Sequence, residues 1–366
     1  MLSRVDDLRL VLEEWRELAV AHGNMFLTPD WAMTWLSVYG ERQTPSVRCA
    51  RLDDRLVGVL PLTRDGRGTL RFAGDGAGDL FAPLVDRTVS ADVVGALVES
   101  LRDEGNRLLV LTNVERDAPW RRRLHDELGR RGLVDRPQLL PFADLRELDW
   151  PGYLATRSAN FRSQLGRKQR ALEREHQVMI RRAESPAELE KDLATFFSLH
   201  DMGWNGRGSL LSASPRMRDF LMALCGRILG HGWLRLWTLE LDGVPAATWL
   251  GWNVGGRYAY YAAGFDRRFA AHSPGFLLLA HTVREAIGEA AAEYDLLLGD
   301  EQYKGRFATS AREVETELIG SGRRLLVGHI DRGLRRLGRL LPPPLRGRAR
   351  RTAAALERHL PLARHR

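Results

Sequence analysis

Two cysteines in 366 residues, Cys49 and Cys225, leave no material for a disulfide framework, and neither sits at a metal-ligand or redox spacing. Such cysteine usage fits a reduced compartment. No run of 18 or more uncharged apolar residues occurs, so no stretch is expected to span a membrane. The opening stretch, MLSRVDDLRLVLEEW, mixes charge with apolar residues as an amphipathic helix does, unlike the apolar core of a signal peptide. The expected location is the cytoplasm. Lysine is scarce too: Lys168, Lys191 and Lys304 stand among 55 basic residues. An ammonium and a guanidinium are not interchangeable at a crowded site, so the positions that keep lysine stand out. No G-x-S-x-G elbow or catalytic cysteine is visible, which argues against hydrolase chemistry. His231 and His272 lack partners at metal spacing, and no metal site is expected.

Charge of one sign is concentrated at one end. Residues 321–366 hold 13 arginines and two acids, a net +11 against +8 for the whole chain, so residues 1–320 carry a net −3. A basic pI alone would suggest nucleic acid, but an acidic body with a basic tail weakens that reading. Nucleic acid is therefore not the expected partner. In the tail, Leu334, Leu337, Leu340 and Leu341 recur among Arg332, Arg335, Arg336 and Arg339. That spacing suits a helix lying on an anionic membrane surface, at the inner membrane for instance, and equally a solvated basic end.

What is present alternates helical and strand-like stretches. Residues 1–40 read as two helices, the second opening at Thr28-Pro29-Asp30. Val47–Leu52 and Leu56–Leu62 are β-rich runs joined by Asp53-Asp54-Arg55 as a hairpin. Gly74–Asp79 is glycine-rich, lacks lysine and does not lead straight into a helix, so it reads as a loop and only weakly as a phosphate cradle. A helix near 89–104, a strand at Leu108–Thr112 and a helix near 118–131 complete this half. Tyr153–His176 reads as one long basic helix, and helices follow from Ser185-Pro186 and over Arg216–Leu229. Leu234–Leu241, Pro245–Asn253 and Arg257–Phe265 then read as three antiparallel strands linked by Asp242-Gly243 and Gly255-Gly256. A helix over Phe276–Ala292, a strand at Tyr294–Leu298, a polar loop or short helix at Asp300–Phe307 and a strand at Val314–Ile319 end the ordered pattern. The two halves share an order of hairpin, further strand, long helix and strand, as a degenerate duplication would. The expected fold is α/β, an α+β mixed sheet in tandem domains, with divisions at 1–150, 151–320 and a basic helical tail at 321–366.

The run LRLWTLELDGVPAATWLGWNVGGRYAYYAAGFDRRFAAHSPGFLLLAHTVREA, with YDLLLGDEQYKGRF after it, resembles the C-terminal GNAT half of CelD-type proteins. Those are acetyltransferase-like proteins associated with cellulose and exopolysaccharide biosynthesis, related in fold to the Fem peptidoglycan aminoacyltransferases. The pattern FLTPDWAMTWLSVYG followed by RLVGVLPL is similar to the same family, so the likeness covers about residues 25–320. Its distinctive parts are the strand triplet, the S-P-G-x-L-L junction and D-x-x-x-G-D-x-x-Y-K-x-x-F at Asp295–Phe307. The resemblance implies an acetyl-CoA or other acyl-CoA donor, an amine or hydroxyl acceptor of saccharide type, and direct transfer in a ternary complex. One departure is visible. Where GNAT enzymes commonly read Arg/Gln-x-x-Gly-x-Gly/Ala, Arg268–Gly275 holds a single glycine, which offers fewer N–H groups to phosphates.

Candidate residues follow from these patterns. The Ser273-Pro274-Gly275 junction opens a helix, whose N-terminus suits pyrophosphate or carboxylate; it is equally an ordinary Ser cap with Pro at the first position. Backbone N–H groups around Tyr260, Tyr261, Ala262 and Ala263 would meet a developing oxyanion if the strand bulges or splays there. Resemblance to Fem enzymes implies that Lys304 offsets charge on the reacting ester; the other reading is a surface lysine in a polar loop. Asp300 could orient Lys304 or act as base, and is as readily a loop-capping aspartate. Tyr260 and Tyr261 alternate across the sheet, so one is expected to face the cleft and the other to pack on a helix. Tyr303 and Trp249 are further candidates for substrate contact, although core packing is the commoner use of a strand tryptophan. Trp204, Asn205 and Arg207, in a glycine-rich connection, could grip a glycan or simply anchor a loop. Two other functions remain open on these residues. One is an aminoacyl-tRNA-dependent transferase of the Fem type, with the basic helix on tRNA phosphates. The other is a non-catalytic adaptor on a GNAT scaffold.

Overall fold

The computed structural model describes residues 2–320 except residues 3, 90–91, 103–107, 129–131, 205–210, 212–213 and 300, and beyond 320 only residue 325. The expectations for the basic tail, Asp300, Asn205 and Arg207 lie outside the described residues. Hairpins organise the strands. Asp53 and Asp54, Asp242 and Gly243, and Gly255 and Gly256 all take positive φ, as two-residue turns that match strand twist require. They join β2 (Arg48–Leu52) to β3 (Arg55–Leu60), β11 (Leu234–Leu241) to β12 (Val244–Val254), and β12 to β13 (Arg257–Phe265).

Helices cover both faces of the second-half strands, so β12 is buried almost without interruption from Ala246 to Trp252. Side chains alternate across it. Trp249 packs on one face with Tyr258, Tyr260 and Tyr294, beside helix Pro274–Gly288. Trp252 packs on the other with Phe26, Trp31 and Tyr261. That second face carries helices Pro186–Trp204 and Pro215–Gly230 together with the N-terminal helices.

Twelve strands form one mixed sheet. The first-half members are β1 (Gln43–Pro45), β4 (Leu62–Asp65), β5 (Leu70–Phe72), β7 (Leu109–Glu115), β8 (Gly132–Val134) and β9 (Gln138–Asp144). β10 (Val178–Arg182), β11 to β13, β14 (Glu293–Asp295) and β15 (Ser310–Ile319) complete it. The strand β6 (Leu84–Val85) instead joins β2 and β3 in a separate small sheet. The main order is β1-β4-β5-β7-β15-β9-β14-β13-β12-β11-β10, with β8 beside β15. Read outward from the β15–β9 pair, both directions repeat one plan. An antiparallel pair comes first (β15 with β7, β9 with β14), then a parallel pair (β7 with β5, β14 with β13), then antiparallel strands. The central strand of each side comes from the other side's stretch of chain: β9 precedes residue 150 yet pairs with β14, and β15 pairs with β7.

The expected single helix over Tyr153–His176 is two: Trp150–Ala155, then Ala159–Glu175. The first ends at Thr156, and Ser158 caps the second, its hydroxyl accepting the Phe161 N–H at 3.2 Å. The strands β8, β9 and β10 were not among those expected. No helix among the described residues is long and apolar enough to cross a membrane.

Candidate active site

The site starts from an irregularity in β13. Its ladder with β12 slips between Leu250 and Gly251: Leu250 pairs with Ala262 and Gly251 with Tyr260, so Tyr261 is an extra residue. Only glycine fits opposite, because a Cβ on Gly251 would lie 1.9 Å from the Ala259 carbonyl oxygen and 2.3 Å from the Trp249 ring. On its other side β13 is parallel to β14 only from Arg257 to Ala259. β14 then ends, the chain turns at Leu297 with φ 56, and β13 continues to Phe265. The bulge and this divergence open a cavity of about 960 Å³.

One wall is the junction at Ser273. Lys168, from the basic helix, donates to the Ser273 hydroxyl at 2.7 Å, so that hydroxyl does not cap helix Pro274–Gly288. In the first turn Pro274 has no N–H, and Phe276 donates back to the Ser273 carbonyl. The Gly275 N–H makes no hydrogen bond within the described residues. Lys168, Ser273, Gly275 and Arg306 line the cavity together, and Arg306 donates to Gln164. Two cationic side chains and one backbone N–H, groups of the kind that hold an anion, therefore line one cavity.

The part of the lining around Lys304 is chemically richer. Lys304 is only 4% exposed; its Nζ donates to the Leu298 carbonyl at 2.6 Å and lies 3.0 Å from Glu301. The glycine of the G-D-x-x-Y-K segment makes this possible. Gly299 has φ 144, and a Cβ there would lie 2.0 Å from Glu301 Oε2 and 2.4 Å from Lys304 Nζ. The ammonium stands 5.8 Å from the centre of the Tyr260 ring. Tyr260 and Tyr303 share a hydroxyl–hydroxyl hydrogen bond of 2.8 Å, and burial pushes both phenols above their usual range. The Leu298 peptide also faces the first half, its N–H donating to Asp79 Oδ2 at 3.2 Å. Burial pushes the Asp79 carboxyl up to about 7, against the opposing pull of the Leu298 N–H and Lys304. His200 donates from Nδ1 to the Ala263 carbonyl at 2.9 Å, and burial lowers its pKa.

Of the residues singled out in the sequence, Lys304, Tyr260, Tyr261, Ala262, Ser273, Gly275, Trp249 and Tyr303 all line this cavity. Their duties differ. The Tyr261 hydroxyl is bonded to the Ala77 carbonyl at 3.0 Å. Trp249 is 1% exposed and serves the core. Pro274 is buried at the first helical position and does not line the cavity. Trp204 closes the helix that carries His200. Sequence reasoning missed Arg306; it met Asp79 only as the end of a glycine-rich loop, His200 only at the head of the segment that holds Trp204, and Lys168 only within a basic helix. The lysine scarcity was the one local signal for Lys168.

Residues 159–305 match the family model of the acetyltransferase (GNAT) domain. The fold is of the GNAT type. Solved structures with the same architecture include FemX, at 13% identity and a TM-score of 0.64, covering 83% of this chain and 95% of that one. The C-terminal domain of an Agrobacterium fabrum protein named as a lysylphosphatidylglycerol synthetase is 13% identical with a TM-score of 0.57, covering 89% and 96%. L-PGS from Bacillus licheniformis is 13% identical with a TM-score of 0.53, covering 90% and 97%. At such identity the likeness is one of fold. No curated protein sequence matches the chain significantly.

Proposed function

We propose that the protein transfers an acyl group from acyl-CoA to an amine or hydroxyl of a saccharide or saccharide precursor, by direct attack within a ternary complex. The observation that carries this reading is the bulge of β13 at Tyr261, set beside a helix N-terminus whose Gly275 N–H makes no hydrogen bond among the described residues and is flanked by Lys168. Strand N–H groups at the bulge would hold the carbonyl of the acyl group, and their preorganisation favours the oxyanion over the ground state. Lys168, Arg306 and the Gly275 N–H would hold the donor's phosphates. Lys304 lines the same cavity, where its charge would offset that developing on the reacting acyl group. Tyr260 and Tyr303, held protonated, can donate hydrogen bonds but do not serve as bases. The saccharide acceptor follows from the resemblance to CelD-type proteins.

A second reading is favoured by one specific feature. The first turn of helix Pro274–Gly288 offers a single N–H, whereas Arg167 and Arg170 are exposed and make no ion pair among the described residues. That balance suits an aminoacyl ester on tRNA, with phosphates met by side chains. FemX and L-PGS share the fold over most of the chain. Isothermal titration of acetyl-CoA and free CoA into the wild type and Gly275→Trp decides between them. The Gly275 Cβ direction meets nothing nearer than Phe265 at 4.0 Å, so the indole blocks the junction without disturbing the helix. Saturable binding in the micromolar range, about −8 kcal/mol, that the variant loses is expected. Absence of heat at millimolar ligand would transfer the assignment to the aminoacyl ester.

A further inference from the structure

We propose that Asp79, carried by the first half, takes the proton from the acceptor amine, so that the active site is complete only across both halves. The inference rests on the acyl-CoA reading above. Asp79 ends the loop Gly74–Asp79, which the sequence marks only as glycine-rich. The fold pins that loop against the site from several directions. Tyr261, the bulge residue, donates to the Ala77 carbonyl at 3.0 Å. Asn113 donates to the Gly78 carbonyl at 2.9 Å, and Asn24 to the Leu80 carbonyl at 3.1 Å. Asp79 is thereby held beside the Leu298 peptide whose carbonyl takes the Lys304 ammonium. One carboxylate oxygen is used by the Leu298 N–H. The other, Oδ1, makes no hydrogen bond among the described residues, and the residue lines the cavity.

Other groups on the same wall are less suited to accept a proton. Glu301 is paired with Lys304, Tyr260 and Tyr303 are held protonated, and burial lowers the pKa of His200, which makes its imidazole a weaker base. The charges that bear on Asp79 are Lys304, which favours the carboxylate, and Asp295 and Glu301, which oppose it. Burial leaves its pKa at about 7, close to where a general base is most effective at neutral pH. In the step, the Asp79 carboxylate takes one proton from the acceptor ammonium and becomes the acid. The freed amine attacks the thioester carbonyl, the C–N bond forms and the C–S bond breaks. The nitrogen's second departing proton goes to the thiolate, leaving an amide and a free thiol. Asp79 then returns its proton to water.

The test compares two nucleophiles with acetyl-CoA as donor at neutral pH. Glucosamine is mostly protonated there and needs a base, whereas hydroxylamine is uncharged and does not. Asp79→Asn keeps an oxygen for the Leu298 N–H, so the loop stays in place. Its kcat/KM with glucosamine is expected to fall about 100-fold or more, with hydroxylamine turnover within about threefold of wild type. Asp79→Glu should restore part of the glucosamine rate. Equal losses with both nucleophiles would show a structural role and overturn the proposal, as would no loss with either. Wild type that acetylates hydroxylamine but not glucosamine overturns it too. If wild type acetylates neither, the acyl-CoA reading fails, and this inference with it.

Discussion

Lys304 shows how much a single side chain depends on its surroundings. A buried ammonium is costly unless its hydrogens are used, and here the Leu298 carbonyl and Glu301 use them. The missing side chain at Gly299 makes the room. Lys304→Met should therefore lower turnover by roughly 10²–10³, the usual cost of removing one oxyanion-stabilising group, while acetyl-CoA affinity stays near that of the wild type. Steady-state kinetics beside calorimetry separates the two effects; a matching loss of affinity would make Lys304 a binding residue instead. Lys304, Tyr260 and Tyr303 were legible because one short segment and one strand carry them. Asp79 and Lys168 were not. Their partners, Leu298 and Ser273, lie 219 and 105 residues away, and no local pattern encodes a meeting that only the fold creates.

At the scale of elements, β13 must approach helix Pro186–Trp204 closely while staying bulged. Gly264 permits that approach: a Cβ there would lie 2.3 Å from the His200 nitrogen and 2.5 Å from the Leu199 carbonyl carbon. Both obstacles are backbone, so neither can rotate aside. Gly264→Ala should destabilise the protein by about 1–3 kcal/mol, read as a lower urea midpoint at unchanged slope. It should also weaken donor binding, because the strand end that lines the cavity moves with it. An unchanged midpoint would mean that helix and strand separate at no cost. The hairpins of this region were readable because positive-φ turns demand Asp or Gly at fixed places. The bulge was readable only as a condition, since Tyr260-Tyr261-Ala262 carries no residue that forces one. β9 escaped notice because Pro141 interrupts its apolar run, and β10 because five residues, two of them arginine, make a weak pattern.

For the whole molecule, the exchanged central strands matter more than the order of elements along the chain. β15 lies between β7 and β9, and with it come Glu315 and Glu317, which reach Arg121 at 2.5 and 2.9 Å in surroundings closed to water. Arg121 is 7% exposed. Leaving such a charge unpaired typically costs about 3–5 kcal/mol, which alone is a large share of a domain's stability. Loss of β15 would also uncover Val314, Leu318 and Ile319 and leave two strand edges open. The second half is no better placed, because β14 has three residues and β9 covers its outer edge. Residues 1–320 should therefore unfold in one cooperative transition. Residues 1–150 and 151–320, expressed separately, should each lack one, and should co-purify as a folded pair when expressed together. Differential scanning calorimetry reads all four samples. A sharp transition in either fragment alone would show that its half closes its own sheet, and the exchanged strands would then be ornament to two independent domains. Failure to co-purify would show that the chain connection itself is needed to bring β9 and β15 together.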